Sequence, residues 1–221
     1  MSYKIVVMSC DKNKDLFEPF HHCMEKYWKG HPEIIYCTET IDNPYYKTIH
    51  SNYPIEKWTK RVYECVKDLP CKHILLTIDD LFLRDFVDND FIWSLCSYVK
   101  DNVGALNFEF SFDNNDIPFD DLVMMRNTNG KFKLSCMCQM WQKRAILDLF
   151  NCEYDPWVFE KKNLAKNWRF LISRKGDFLN WGKQQHDWRW GVVRGKWVKE
   201  CKDFFDKEGI IMDYSIRGFV E

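Results

Sequence analysis

Apolar residues recur along this chain in two alternating rhythms, and the alternation predicts a βαβ opening. Lys4-Ile5-Val6-Val7-Met8-Ser9 is a nearly unbroken apolar run of β-branched character, as expected for a strand buried on both faces. Leu16, Phe17, Phe20, Met24, Tyr27 and Trp28 then fall at spacings of three and four, one face of a helix that Gly30 and Pro32 stop. Glu33-Ile34-Ile35-Tyr36-Cys37 predicts a second short strand. From Glu39 to Pro54 the chain is rich in Asn, Pro, Tyr and Thr without a sustained period, which predicts a loop over the sheet edge. Trp58, Val62, Val66 and Leu69 mark a second amphipathic helix, ended by Pro70.

The next run, His73 to Leu83, is apolar except for Asp79-Asp80 in its middle. It predicts a central parallel strand with two carboxylates at its carboxyl end, where burying charge is costly unless something pairs with it. Beyond it, Asp88-Asn89-Asp90 has an Asp-x-Asp spacing but stands just before a helical pattern, so an N-cap reading is preferred, with Asp90 as the cap of a helix through Phe91, Leu95, Cys96 and Val99. Gly104 to Phe110 predicts a strand. Residues 111–130 form a polar insertion, with Asn129-Gly130 as a turn before a segment Lys131-Phe132-Lys133-Leu134. A helix is expected to begin near Met140 or Trp141 and bury Ala145 and Leu149. Asp155-Pro156 gives a cap followed by proline at the first helical position, starting a helix from Trp157 to Leu164. Trp168 to Ile172 predicts a strand, and Val198, Cys201, Phe204 and Phe205 a last helix. With no internal repeat and no low-complexity linker, residues 1–221 read as one α/β domain. A mostly parallel central sheet is flanked by helices, with additional carboxyl-terminal strands and loops.

Composition narrows the function classes. The 221 residues are 46% hydrophobic and 29% charged with a formal net charge of −1, a globular composition with no general attraction for nucleic acid. No run reaches transmembrane length and no signal-peptide pattern opens the chain, so an intracellular, cytoplasmic location is expected. The 10 cysteines are scattered without a repeated Cys-x-x-Cys, which predicts reduced, mostly buried thiols; the alternation of Cys136-Met137-Cys138 suits a strand. Trp157, Trp168, Trp181, Trp188, Trp190 and Trp197 crowd the last third, where they can wall a sugar or base pocket or simply fill a core layer.

Adjacent carboxylates at a strand-to-loop junction suit Mg²⁺ or Mn²⁺, because hard cations take oxygen ligands and complete their shell with substrate phosphates. The alternative is helix capping or local ion pairing. The chain lacks both a P-loop and a Gly-x-Gly-x-x-Gly turn. A nucleotide would instead meet the carboxyl edge of the early strands, where Ser9, Asp11 and Thr38 converge in a parallel sheet.

The polar turn after the first strand, the crossover to the second and the apolar strand ending in Asp79-Asp80 resemble the nucleotide-sugar glycosyltransferases of the GT-A fold. Leu75 to Leu83, Gln139-Met140-Trp141-Gln142-Lys143, Asp155-Pro156-Trp157-Val158-Phe159-Glu160 and Gly195-Lys196-Trp197 occur in an order similar to small bacterial and large-virus surface-glycan transferases, including the first domains of multidomain chlorella-virus glycosyltransferases. The resemblance implies transfer of a monosaccharide from a nucleotide-diphosphate sugar, with a UDP-sugar ranked first, to a saccharide hydroxyl. It places residues up to about 110 in a donor half and 111–221 in an acceptor half, allows further glycosyltransferase domains, and for a viral protein implies the host cytoplasm. It assigns Asp79 and Asp80 to the metal and donor ribose, although Ile78 stands where the family usually has its first acid.

Positive charge for the departing diphosphate is expected from Lys196 or Arg194, with Lys60 and Arg61 as further candidates unless they are solvated helix residues. His186 is a candidate metal or phosphate contact, or a surface histidine in a charged loop. Gln139 would help position the sugar. An inverting transfer needs a carboxylate base: Glu160 is the first choice through its segment's resemblance, and Asp155 the second because capping already explains it. A sugar-phosphate nucleotidyltransferase and a non-catalytic carbohydrate-binding domain are the alternatives.

Overall fold

In the computed structural model, residues 2–108, 116–126, 134–162, 167–174 and 190–220 are described. The chain opens with β1 (Tyr3–Met8), α1 (Phe17–Tyr27), β2 (Ile34–Thr38), β3 (Lys47–His50), α2 (Trp58–Val66) and β4 (His73–Ile78). It continues with α3 (Asn89–Cys96), β5 (Val103–Asn107), β6 (Ile117–Pro118), β7 (Val123–Met125), β8 (Gln139–Gln142), α4 (Lys143–Leu149), α5 (Pro156–Lys161) and β9 (Arg169–Ser173). A two-stranded hairpin of β10 (Val192–Val193) and β11 (Lys196–Trp197) precedes α6 (Lys199–Glu208).

The fold is α/β, with a mixed nine-stranded sheet in the order β3-β2-β1-β4-β8-β5-β9-β7-β6. β3, β2, β1 and β4 are mutually parallel; β8 is inserted antiparallel between β4 and β5. Both sheet faces are covered, which explains the unbroken apolar runs. Along β1, Ile5 and Val7 enter the core beneath α1, α3 and α6, whereas Val6 and Met8 enter the core beneath α2, α4 and α5. Leu75 and Met140 follow the first face; Leu76 and Trp141 follow the second. Among the described residues no helix is long and apolar enough to cross a membrane.

Several local expectations change. β3 is a strand in the stretch predicted to be a loop, but as a half-exposed edge strand it carries no buried period. Met140 and Trp141 belong to β8, and the helix starts at Lys143; a four-residue strand buried on both faces cannot be told from a helix start by periodicity. Cys136 to Cys138 bend into β8 without joining it. Asp88, not Asp90, caps α3, its carboxylate accepting from the Phe91 N–H at 3.0 Å. The predicted strand to Phe110 is described only to Asn107 and Phe108. The Asn129-Gly130 turn, Lys131 to Lys133, Leu164 and the loop carrying His186, Trp181 and Trp188 lie outside the described residues. All ten cysteines are free thiols, eight buried and Cys71 and Cys152 half-buried.

Candidate functional site

Register brings the polar ends of three strands to one edge. Met8 pairs with Cys37 on one side and Ile78 on the other, so Ser9, Thr38 and Asp79 leave the sheet side by side. Carboxyl edges of parallel strands are where open α/β sheets place ligands. Here they open into a cleft of about 480 Å³ whose wall includes Ser9, Asn13, Arg61, Asp79, Asp80 and Asp155. Trp157, 70% exposed on α5, stands at its rim with Ile55 and Glu56.

Asp79 is buried and fully held. Ser9 Oγ donates to its Oδ2 at 2.5 Å and Asn13 Nδ2 to its Oδ1 at 3.0 Å. Burial outweighs those hydrogen bonds and pushes its carboxyl up to about 6. Asp80 is half-buried, and its Oδ1 has no hydrogen-bond partner. Burial, followed by the neighbouring Asp79, pushes it up to about 8. Two adjacent carboxylates whose surroundings disfavour ionisation, one with an orphaned oxygen, fit a hard divalent cation as oxygen donors. Among the described residues no third His, Cys, Asp or Glu joins them.

A basic residue that sequence reasoning missed stands behind the pair. Arg217, in the carboxyl-terminal segment, grips Asp15 with two donors at 2.6 and 2.7 Å and donates to Asn13 Oδ1 at 3.0 Å. Its charge acts on both Asp79 and Asp80. The segment is pinned to β11 through Trp197 N–H to Gly218 O at 2.9 Å and Val220 N–H to Trp197 O at 2.8 Å. Nothing near Arg217 in sequence announces this role, because its partners are at the opposite end of the chain. Asn13 had a weak signal: it lies in the polar turn closing β1.

The remaining candidates separate by place. Arg61 reaches the cleft, but its guanidinium is buried, donating to Glu39 Oε1 at 2.5 Å and to the Ser9 carbonyl at 2.7 Å. It therefore fixes the turn after β1. Asp11 lies nearby, yet its carboxylate is consumed by the loop after β2: it accepts from the N–H groups of Glu39, Thr40 and Ile41 and from the Thr40 hydroxyl at 2.6 Å. Desolvation acts against ionisation there, but these four donors win and bring Asp11 down to about 2. Thr38 is fully buried and donates to Ile41 O at 2.7 Å. Lys60 turns along α2 to Asn151 Oδ1 at 2.8 Å and is not on the cleft wall.

Asp155 lines the cleft while capping α5, accepting from Val158 N–H at 2.8 Å through Oδ1. Glu160, one turn further on, is not on that wall; its Oε1 accepts from Cys136 N–H at 2.7 Å and burial raises its carboxyl. Gln139 is buried in β8 with its Oε1 unpartnered. Arg194 and Lys196 are exposed on the β10–β11 hairpin, Arg194 with φ of 52°. That hairpin is tied to the carboxylate pair by Gly191 N–H donating to Asp80 O at 2.8 Å. A Cβ at Gly191 would lie 2.2 Å from the Phe82 ring, so only glycine permits this approach. Of the Trp cluster, Trp197 is core and Trp168 donates to Asp148 at 2.7 Å.

No protein-family model matches the chain, and no curated protein matches it in sequence. Solved structures do match in fold. The TarS 1-349 fragment of S. aureus aligns with a TM-score of 0.51 at 12% identity, covering 80% of this chain and 59% of that one. The same fragment solved in complex with UDP gives 0.50 at 11% identity, with 80% and 59% covered. A nucleotidyl transferase from Methanothermobacter thermautotroptrophicus gives 0.48 at 9% identity over 80% of this chain and 89% of that one. The chain thus spans about 59% of the TarS fragment's length. The likeness to the TarS fragment is one of fold: a mixed central sheet flanked by helices, of GT-A-like architecture.

Proposed function

We propose that the protein is a cation-dependent, inverting glycosyltransferase that moves a monosaccharide from a nucleotide-diphosphate sugar, with UDP as the first nucleotide to test, to a glycan hydroxyl. The observation that carries this reading is the Asp79-Asp80 pair at the carboxyl end of β4, opening into a cleft at the edge where three parallel strands end. The shared fold with a fragment solved with UDP supports it, as does the order of the sequence motifs.

Asp79 and Asp80 would hold Mn²⁺ or Mg²⁺, with Asp80 offering the open oxygen and Asp79 kept in place by Ser9 and Asn13. The cation, when bound, supplies positive charge against the diphosphate leaving group. Arg217 adds a fixed positive charge behind the pair. Asp155 is the base in this reading, because Asp155 lines the cleft and Glu160, committed to Cys136, does not. The acceptor oxygen attacks the anomeric carbon, its proton passes to Asp155, and the bond from that carbon to the phosphate oxygen breaks with its electron pair leaving on the nucleoside diphosphate. The exposed Trp157 ring offers a flat apolar face on which a sugar can lie.

The direct test is incubation of the protein with Mn²⁺, a panel of nucleotide sugars and mixed glycan acceptors, reading nucleoside diphosphate release. Cation-dependent release that requires acceptor supports the reading; absence of both binding and turnover with every donor overturns it.

A further inference from the structure

A second pocket, of about 620 Å³, lies at the amino-terminal end of β4, the end of the strand opposite the Asp79-Asp80 pair. Its lining includes four cations, Lys72, Lys100, Lys143 and Arg144, against a single carboxylate, Asp101. Among the described residues none of the four cations makes an ion pair. Two of them are fixed in place by neutral acceptors. Lys143 Nζ donates to Leu69 O at 2.6 Å, and Arg144 donates to Asp101 O at 2.8 Å while lying 5.0 Å over the Trp168 ring. Asp101 adopts a left-handed conformation, φ 51°, that presents this carbonyl to Arg144 and to Gln142 Nε2 at 3.2 Å. Four like charges around one pocket give it a positive potential that favours an anion.

His73 is the independent observation. It lines the same pocket, is 7% exposed, and uses Nε2 on the Val99 carbonyl at 2.8 Å. A carbonyl only accepts, so Nε2 carries the hydrogen. Nδ1 is left buried without a hydrogen-bond partner, a cost the interior does not repay. A phosphoryl group answers both features, because its negative charge meets the four cations and a protonated phosphoryl oxygen can donate to the unpartnered Nδ1. Phosphate esters hold both forms near neutrality, with a second ionisation near pH 6.

We propose that this pocket is a second binding site, distinct from the cleft, for a multiply charged phosphoryl anion held by Lys72, Lys100, Arg144 and His73. The proposal is independent of the transferase reading, since it shares no residue with the cleft.

The test is a titration of the ¹⁵N-labelled protein with inorganic pyrophosphate, following the His73 ring and the backbone amides of Lys100, Asp101 and Arg144. Because the cleft can also take a diphosphate, the readout is confined to these resonances. Saturable shifts are expected, with the dissociation constant read at the His73 ring and the Asp101 amide rising about tenfold or more in Lys100→Gln/Arg144→Gln, two exposed positions. The shifts should persist in Asp79→Asn/Asp80→Asn. Resonances that do not move, shifts that grow without saturating, or unchanged affinity in the Lys100/Arg144 variant would each overturn the proposal.

Discussion

Arg217 reaches Asp79 through one intervening side chain. Its guanidinium donates to Asn13 Oδ1 at 3.0 Å, and Asn13 Nδ2 donates to Asp79 Oδ1 at 3.0 Å. The order of the amide is forced, because Arg217 can only donate and an ionised Asp79 can only accept. The last described segment of the chain therefore sets the orientation of a carboxylate at the carboxyl edge of the sheet.

Replacing Arg217 with Gln should consequently do more than trim the surface. Arg217 and Asp15 are only 9% and 11% exposed at their side chains, so Asp15 loses a nearly buried partner. A loss on the order of 3 kcal/mol is expected in a denaturant titration, the scale for breaking such a pair from one side. Asn13→Ala keeps the Arg217–Asp15 pair, and should cost less stability while still weakening cation-dependent donor binding. A change below about 0.5 kcal/mol in Arg217→Gln would show the tail to be peripheral.

What the sequence revealed and concealed follows from burial. The runs of β1 and β4 and the helical faces of α1 and α2 were readable because each element buries an unbroken strand or a clear helical stripe. Asp79 and Asp80 were readable for the same reason, since charge interrupting such a run stands out. β3 and β8 were not: one is half-exposed at an edge, the other is four residues buried on both faces. Arg217 was invisible because its meaning depends on Asp15 and Asn13, which only the fold brings to it. Asp11 shows the converse, a well-placed acid whose carboxylate is spent on the loop after β2.

Stability without divalent cation should fall as pH rises. The carboxyls of Asp79 and Asp80 lie near 6 and 8 in the fold, against about 3.9 in an unfolded chain. Between those limits the native state holds more protons than the unfolded one, so the pair's contribution is complete below pH 4 and is lost as pH climbs through 8. The pair titrates as a unit. Asp80→Asn should flatten the slope and raise stability at pH 8 by on the order of 2 kcal/mol, an allowance for one partly relieved buried charge. Thermal melts of both proteins across pH 4 to 9 check this; an unchanged slope in Asp80→Asn rejects it. Mn²⁺ added to the native protein should restore stability most at the alkaline end, where the carboxylates are ionised.

Gly191→Ala tests how the β10–β11 hairpin is attached. The new methyl would meet Phe82, which is fully buried against Trp197 and Phe205. Relief requires moving either that ring or the Gly191 backbone that donates to Asp80 O. Overpacking of this kind costs about 1–3 kcal/mol. The melting temperature should drop and Trp197 fluorescence shift; neither happening would mean the hairpin docks loosely.

Asp155 and Glu160 are separated by a pair of conservative changes. Asp155→Asn retains a side-chain oxygen for the Val158 N–H, and Asn is as good an N-cap as Asp, so stability should stay within about 0.5 kcal/mol. Removing the base should lower transfer by about 10²–10⁴-fold while nucleotide-sugar binding is kept. Glu160→Gln preserves an oxygen for the Cys136 N–H, and in the proposed arrangement it leaves the rate within a few fold. The opposite pattern, transfer kept in Asp155→Asn and lost in Glu160→Gln, would move the base to Glu160. It would then require Glu160 to release Cys136 and the segment leading into β8 to shift when the acceptor binds, because its carboxylate is otherwise occupied away from the cleft wall.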